Sequence, residues 1–335
     1  MVRQLALITM LTVSFGFALH VQAQEASTLN WNCHAIQLRP YGESTRAPVV
    51  TGVSIQSAGN LIAVVGDNHA LNIFNTKEMR FVSQLGQHHD WVKSAEFSHD
   101  GRWLVTCGND RKVLLWDTTN FDRPIQVTQA GHAIFDVAFS HDDTQLAIAG
   151  FGRRVQIYDV ATRRTIRTLV GPSDDNRSVA YSKDNSMIAV GGRSGQIKVW
   201  NVDSGAEVAS FQAHTRRIHS LQFNDDNRLV TCSDDRVVRI TNVTRPSEFD
   251  ELPTHGGKLF AVKVLGGNLL ATGGSNNVIY IWDLTRLTRI GSLEGHTGSI
   301  ATLDYDNGQL VSGSFDTQIR IWSAEKVAAL IQQRR

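Results

Sequence analysis

The chain has 335 residues, with 33 Lys and Arg against 32 Asp and Glu and a net charge of +1. A length of this order suggests about two domains, although all-β folds often run larger as one. The near-cancelling charge excludes a global basic field for nucleic acid or an acidic one for cations, so electrostatic recognition must be local.

Residues 1–23, MVRQLALITMLTVSFGFALHVQA, place Arg3 before an uncharged apolar run from Leu5 to Leu19, with Val21 and Ala23 two apart at its end. This is the layout of a secretory signal peptide cleaved after Ala23, and it predicts a periplasmic or secreted protein. The run is short for a bilayer span, and no other segment is long and apolar enough to make one, so no membrane span is expected after cleavage. An uncleaved anchor is the alternative. Residues 24–33 read as a lead-in and residues 34–335 as one repeating domain.

From Phe74 onward a hairpin end recurs. DRKVLLWD at 110–117 has relatives in GRRVQIYD, SGQIKVWN, DRVVRITN, NNVIYIWD and DTQIRIWS. The aligned ends, Phe74, Trp116, Tyr158, Trp200, Thr241, Trp282 and Trp322, are spaced by 42, 42, 42, 41, 41 and 40 residues. Seven units at one period make an internal repeat the primary fact. In the last unit SIATLDY alternates apolar and polar, DNG turns, QLVSGS is a second strand, FDT turns again and QIRIW is a third. A weaker β-run such as PIQVTQ or VASFQA follows each aromatic end. A four-stranded antiparallel unit of this size cannot cover its own two faces, so each must stack on its neighbours, and a closed ring covers them all.

The period, the Trp-Asp ends and the pairs Gly131-His132 and Gly295-His296 resemble the WD-repeat family over residues 34–335. The resemblance implies an all-β, seven-bladed WD-repeat β-propeller of four-stranded antiparallel blades, closed by the N-terminal strand at 34–39. VAALI at 327–331 competes for that closing position. It also implies a clamp of His, Ser or Thr, Asp and Trp within a blade. His88, Thr106, Asp110 and Trp116 make one full set, and His296, Ser312, Asp316 and Trp322 the other. Blade five keeps His214, Thr231 and Asp235 but ends on Thr241. Blade six has His255, Thr272 and Asn276, blade three only His132, and blade four Pro172 in place of His. Blades one and four are therefore expected to be the least locally stabilised.

No phosphate loop, nucleophile elbow or HExxH is present. His88-His89-Asp90 invites a metal reading, but adjacent residues of an extended chain point opposite ways. The pairs Asp142-Asp143, Asp174-Asp175 and Asp225-Asp226 read as turn residues bonding their own backbone. Three cysteines, Cys33, Cys107 and Cys232, leave at least one unpaired; all are read as free, the last two buried on equivalent strands. No metal, cofactor or catalytic residue is assigned.

The chemistry is expected at one rim of the ring. The resemblance places there the turn leading into each first strand, the strand positions just inside it, and the residue before each tight-turn Asp. These give Trp91, Lys93, Asn109, Phe135, Phe151, Arg177, Arg193, Arg217, His219, Lys258, Phe260 and Phe315, a mixture of aromatic and basic residues typical of binding hot spots. The expected function is a non-enzymatic interaction scaffold outside the cytoplasm. Its expected partner is a protein or peptide, acidic with apolar anchors, and not nucleic acid. A hydrolase or metal-dependent propeller enzyme with a site at the channel mouth is the alternative, to be favoured by inward carboxylates and histidines clustered there. An assembly factor for unfolded or outer-membrane clients is a third, minor reading.

Overall fold

The computed structural model describes residues 32–40, 45–56, 58–253 and 256–323. Within them the chain forms seven four-stranded antiparallel sheets. The first six use consecutive strands, from Val50–Gln56 in blade one to Thr288–Leu293 at the outer edge of blade six. Blade seven takes Ile300–Asp306, Gln309–Ser314 and Gln318–Ser323 from the end of the domain and its outer strand, Asn32–Gln37, from the start. That strand pairs antiparallel with Gln318–Ser323, from Asn32 opposite Ser323 to Gln37 opposite Gln318. The ring is thus closed by the N-terminal strand, which begins two residues before the expected His34. The competing segment 327–331 lies outside the described residues, as do residues 1–31.

The core lies between blades. Leu71, Ile73 and Val65 of blade one pack with Leu104, Leu114 and Trp116 of blade two, and the same kind of cluster recurs around the ring. The last one joins Val311, Ile319 and Ile321 of blade seven to Val50, Val53 and Ile62 of blade one. This explains the seven similar units, since each supplies one wall of two cores. Cys107 and Cys232 are buried free thiols, and Cys33 is an exposed one.

Inside blade two, His88 is buried with Nδ1 3.0 Å from both Asp110 oxygens and Nε2 2.9 Å from the Thr106 hydroxyl, to which Trp116 Nε1 donates at 2.9 Å. Blade seven repeats the set: His296 lies 2.8 Å from Asp316 and from Ser312, and Trp322 donates to Ser312 at 2.9 Å. In blade five His214 keeps both partners, at 3.0 Å from Asp235 and 2.7 Å from Thr231. Burial alone would raise these carboxyls. The His hydrogen bond and charge, with backbone N–H donors, outweigh it and hold Asp110 and Asp316 low and Asp235 at about 2. His132 of blade three is exposed, and His255 lies outside the described residues.

A second set of bonds ties blade to blade along the channel, from polar side chains on the innermost strands. Ser54 accepts the Phe97 amide at 3.0 Å, Glu96 that of Phe139, Asp136 that of Val179 at 3.0 Å, and Ser178 that of Leu221 at 3.1 Å. Gln222 accepts from Val264 at 2.9 Å, Lys263 pairs with Asp304 at 2.6 Å, and Asp304 accepts the Ile55 amide at 2.7 Å. Every junction of the ring is spanned.

Candidate functional site: the rim and mouth of the channel

At one end of the ring the turn entering each first strand meets the turn between the second and third. In six blades a backbone amide of the second turn donates to a carbonyl of the first: Asn109 to Trp91, Phe151 to Ala133, Arg193 to Asp175, Asp234 to Arg217, Ser275 to Lys258 and Phe315 to Ser299, at 2.8–3.0 Å. The preceding residue is glycine in several blades because the carbonyl sits where a Cβ would be. At Gly192 and Gly274 that Cβ would lie 2.0 and 1.9 Å from the facing oxygen. The two turns are therefore locked into one rim, with variable side chains projecting from it.

The structure brings Lys93, Phe135, Arg177, His219, Phe260 and Phe315 together around one cavity of about 330 Å³, with Thr51 and Ala301 completing its wall. Trp91, Phe151 and Phe315 are 41%, 43% and 49% exposed, a high value for large apolar residues. Lys93 stands over the Trp91 ring at 4.4 Å, Phe151 meets Phe135 edge-on at 4.8 Å, and Phe260 meets His219 edge-on at 5.0 Å. Asn109, Arg193, Arg217 and Lys258 lie on the rim but do not line the cavity.

The basic side chains are less free than their spacing suggests. Asp175, buried and read from the sequence as an ordinary turn residue, pairs with Arg177 and lies 3.8 Å from Arg217. Asp234 lies 3.0 Å from His219 and 3.7 Å from Lys258. Sequence reasoning passed over both acids as recognition residues, although both stand at rim positions. Lys93 differs: no carboxylate lies within ion-pair distance of it among the described residues, and burial followed by the Arg177 charge pushes its ammonium below the usual range.

Other turn acids also reach further than expected. Asp143 accepts the His99 and Asp100 amides of blade two at 2.8 and 2.7 Å, and Asp225 pairs with Lys183 of blade four at 2.8 Å. The close stacking of blades puts these turns within reach of each other, so local backbone bonding is not their whole role. Of His88-His89-Asp90, His88 is inside its clamp and Asp90 accepts the Trp91 amide. Among the described residues no group of three or more His, Cys, Asp or Glu is placed to hold a metal ion.

A second cavity, of about 480 Å³, runs along the channel wall and contains Glu96, Asp136, Lys263, Asp304, His99 and His141. Burial, then the neighbouring Asp136, pushes Glu96 well up, and burial pushes Asp136 to about 6. Inward carboxylates and histidines are thus present, as the enzymatic alternative required. Each of the three carboxylates, however, accepts a backbone amide of the next blade, as described above.

Residues 95–248 match a family model described as the WDR19 first beta-propeller, and residues 287–323 match the WD domain, G-beta repeat. Nuclear distribution protein PAC1 of Arthroderma benhamiae is 33% identical over 79 residues, covering 24% of this chain and 17% of that protein. The U3 small nucleolar RNA-associated protein 21 homolog of Schizosaccharomyces pombe is 32% identical over 68 residues, 20% of this chain and 8% of its own. Pre-mRNA-processing factor 19 of the same yeast is 29% identical over 90 residues, 26% and 18%. The chain spans less than a fifth of the length of these relatives. Their names concern nuclear distribution, nucleolar RNA and pre-mRNA processing, and they overturn the expected periplasmic or secreted location; residues 1–23, on which it rested, lie outside the described residues. The sevenfold sheet order, the constant period and the two matches carry one conclusion: the chain is a seven-bladed β-propeller of WD40 repeats.

Proposed function

We propose that the protein is a non-enzymatic platform that docks a polypeptide partner on the rim and mouth carrying Trp91, Phe151 and Phe315. The observation that carries this reading is the concentration of those three exposed aromatics beside a cavity lined by Phe135, Phe260 and Lys93. Aromatic and basic side chains held on a rigid frame lose little entropy on binding. The partner is acidic with apolar anchors: its carboxylate meets Lys93, which has no carboxylate within ion-pair distance among the described residues, and its apolar side chains enter between the rings. Catalysis in the channel is disfavoured because Glu96, Asp136 and Asp304 are already engaged in joining blades.

The test is affinity capture with wild-type protein and with Trp91→Ala/Phe315→Ala, two exposed positions whose change leaves the cores intact. Partners identified by mass spectrometry with the wild type should be lost with the double variant. Equal recovery of the same partners would overturn the reading.

A further inference from the structure

The outer strand of blade three, Arg164–Val170, is the longest of the seven outer strands and has no neighbouring strand beyond it among the described residues. Its outer edge is the element that an extended peptide can extend by one strand, and residues 167–170, beyond a register shift that leaves Ile166 unmatched, run in regular register with 154–157. Ile166 and Val170 on it are 51% and 58% exposed, the two highest values among the large apolar residues. Positive charge surrounds them. Arg154, opposite Val170, and Arg163 and Arg164, at the strand's start, are exposed. No carboxylate lies within ion-pair distance of these three among the described residues. Asp159, the residue opposite Arg164, turns its carboxylate to the amide and hydroxyl of Thr162, both at 2.6 Å. Arg167 is anchored on the Asp203 carbonyl of blade four at 2.8 Å, which holds the strand against the ring.

We propose that this edge is a second docking surface, on the side of the ring, which takes an acidic, extended segment of a partner polypeptide as a fifth strand of blade three. Val170, and Ile166 at the register shift, receive apolar side chains of the segment, and Arg154, beside Val170, with Arg163 and Arg164 at the other end, receive acidic ones. Charge decides the occupant. A second copy of this chain would bring the same arginines against themselves, a like-charge juxtaposition that disfavours edge-to-edge pairing. The two exposed aliphatic side chains have no counterpart on a phosphate backbone, which favours a polypeptide over a nucleic acid.

The experiment uses a fluorescein-labelled peptide of alternating Glu and Val, as long as the strand, with an alternating Lys and Val peptide as its control. Three results are expected with the full chain. The acidic peptide binds and the basic one does not; Arg163→Glu/Arg164→Glu and Ile166→Asp/Val170→Asp each weaken binding by at least about tenfold with unchanged circular dichroism; and hydrogen-exchange protection appears in residues 164–170. Unchanged affinity in both variants, or protection confined to other strands, overturns the proposal. So does loss of binding in Trp91→Ala/Phe315→Ala, which would move the peptide to the channel mouth. A random RNA oligonucleotide that displaces the peptide with the same arginine dependence would also overturn it. A dimer in sedimentation velocity that Arg163→Glu/Arg164→Glu dissociates would do the same.

Discussion

The guanidinium of Arg177 lies 3.6 Å from the centroid of the Phe135 ring and is paired with the carboxylate of Asp175. One side chain from blade four thus binds an aromatic of blade three and an acid of its own turn, with Phe151 also within 5.5 Å. Lysine cannot reproduce both contacts, because its ammonium has no plane to stack. Arg177→Lys should lower stability by about 1 kcal/mol, read as a shifted urea midpoint. It should also increase the mobility of the rings, read as faster Phe135 and Phe151 exchange by NMR. An unaltered midpoint and unaltered ring dynamics would show that the stack holds nothing in place.

The clamps give a graded prediction. The Thr106 hydroxyl serves both His88 and Trp116 Nε1, whereas Thr231 serves His214 in a blade whose end is Thr241. Thr106→Val strands two buried polar groups and should cost about 2–4 kcal/mol, while Thr231→Val strands one and should cost about half of that. Equilibrium urea unfolding of the two variants decides it. Equal losses would mean that the indole bond adds nothing.

The rim offers a steric prediction. Alanine at Gly192 would put its Cβ 2.0 Å from the Asp175 carbonyl and force apart the two turns that carry Arg193 and Arg177. Overpacking of this kind costs about 3 kcal/mol. Gly131→Ala meets nothing within 4 Å and should be nearly silent. Thermal unfolding of both, with the rim aromatics followed by fluorescence, separates a local loss from a global one. A silent Gly192→Ala would mean that the turns are not locked.

Much of this architecture is legible in the sequence because a closed ring of stacked sheets demands equal units. Trp116 and Trp322 fall at the same place in their blades for that reason, and the partners His88 and His296 can be counted back from them. The rim residues Lys93, Phe135, Arg177, His219 and Phe260 are legible for the same reason, since a fixed period carries one position round the ring. What the period cannot reveal is pairing across blades. Asp175 looks like a turn residue until Arg217 of blade five is brought to it. Glu96, Asp136 and Asp304 look like the polar, solvent-facing positions of alternating strands. Ring closure turns that face into a shared channel wall, where their carboxylates accept the amides of adjoining blades. The closing strand starts at Asn32 rather than His34 because its length is set by the partner, Gln318–Ser323, rather than by its own apolar residues.

The channel wall makes a prediction about pH. Burial raises Asp136 from the ordinary range to about 6 in the folded state, while Ser94 and the Val137 and Val179 amides favour its ionised form and limit the rise. The folded chain therefore holds this proton more tightly than the unfolded chain does. The stability it contributes is fully present below the unfolded value and is lost as pH rises through about 6. The side chain lines a cavity open to water, so the loss is at most about 3 kcal/mol. Asp136→Asn keeps an oxygen for the Val179 amide and removes the ionisation. Its melting temperature relative to wild type should climb between pH 4 and pH 7, and the fall in Glu96 once the Asp136 charge is gone acts in the same direction. The lowered Asp110, Asp235 and Asp316 act in the opposite direction in both proteins and cancel in the difference. A difference that stays flat across this window, or falls, would show that Asp136 ionises in the channel at no cost to the fold.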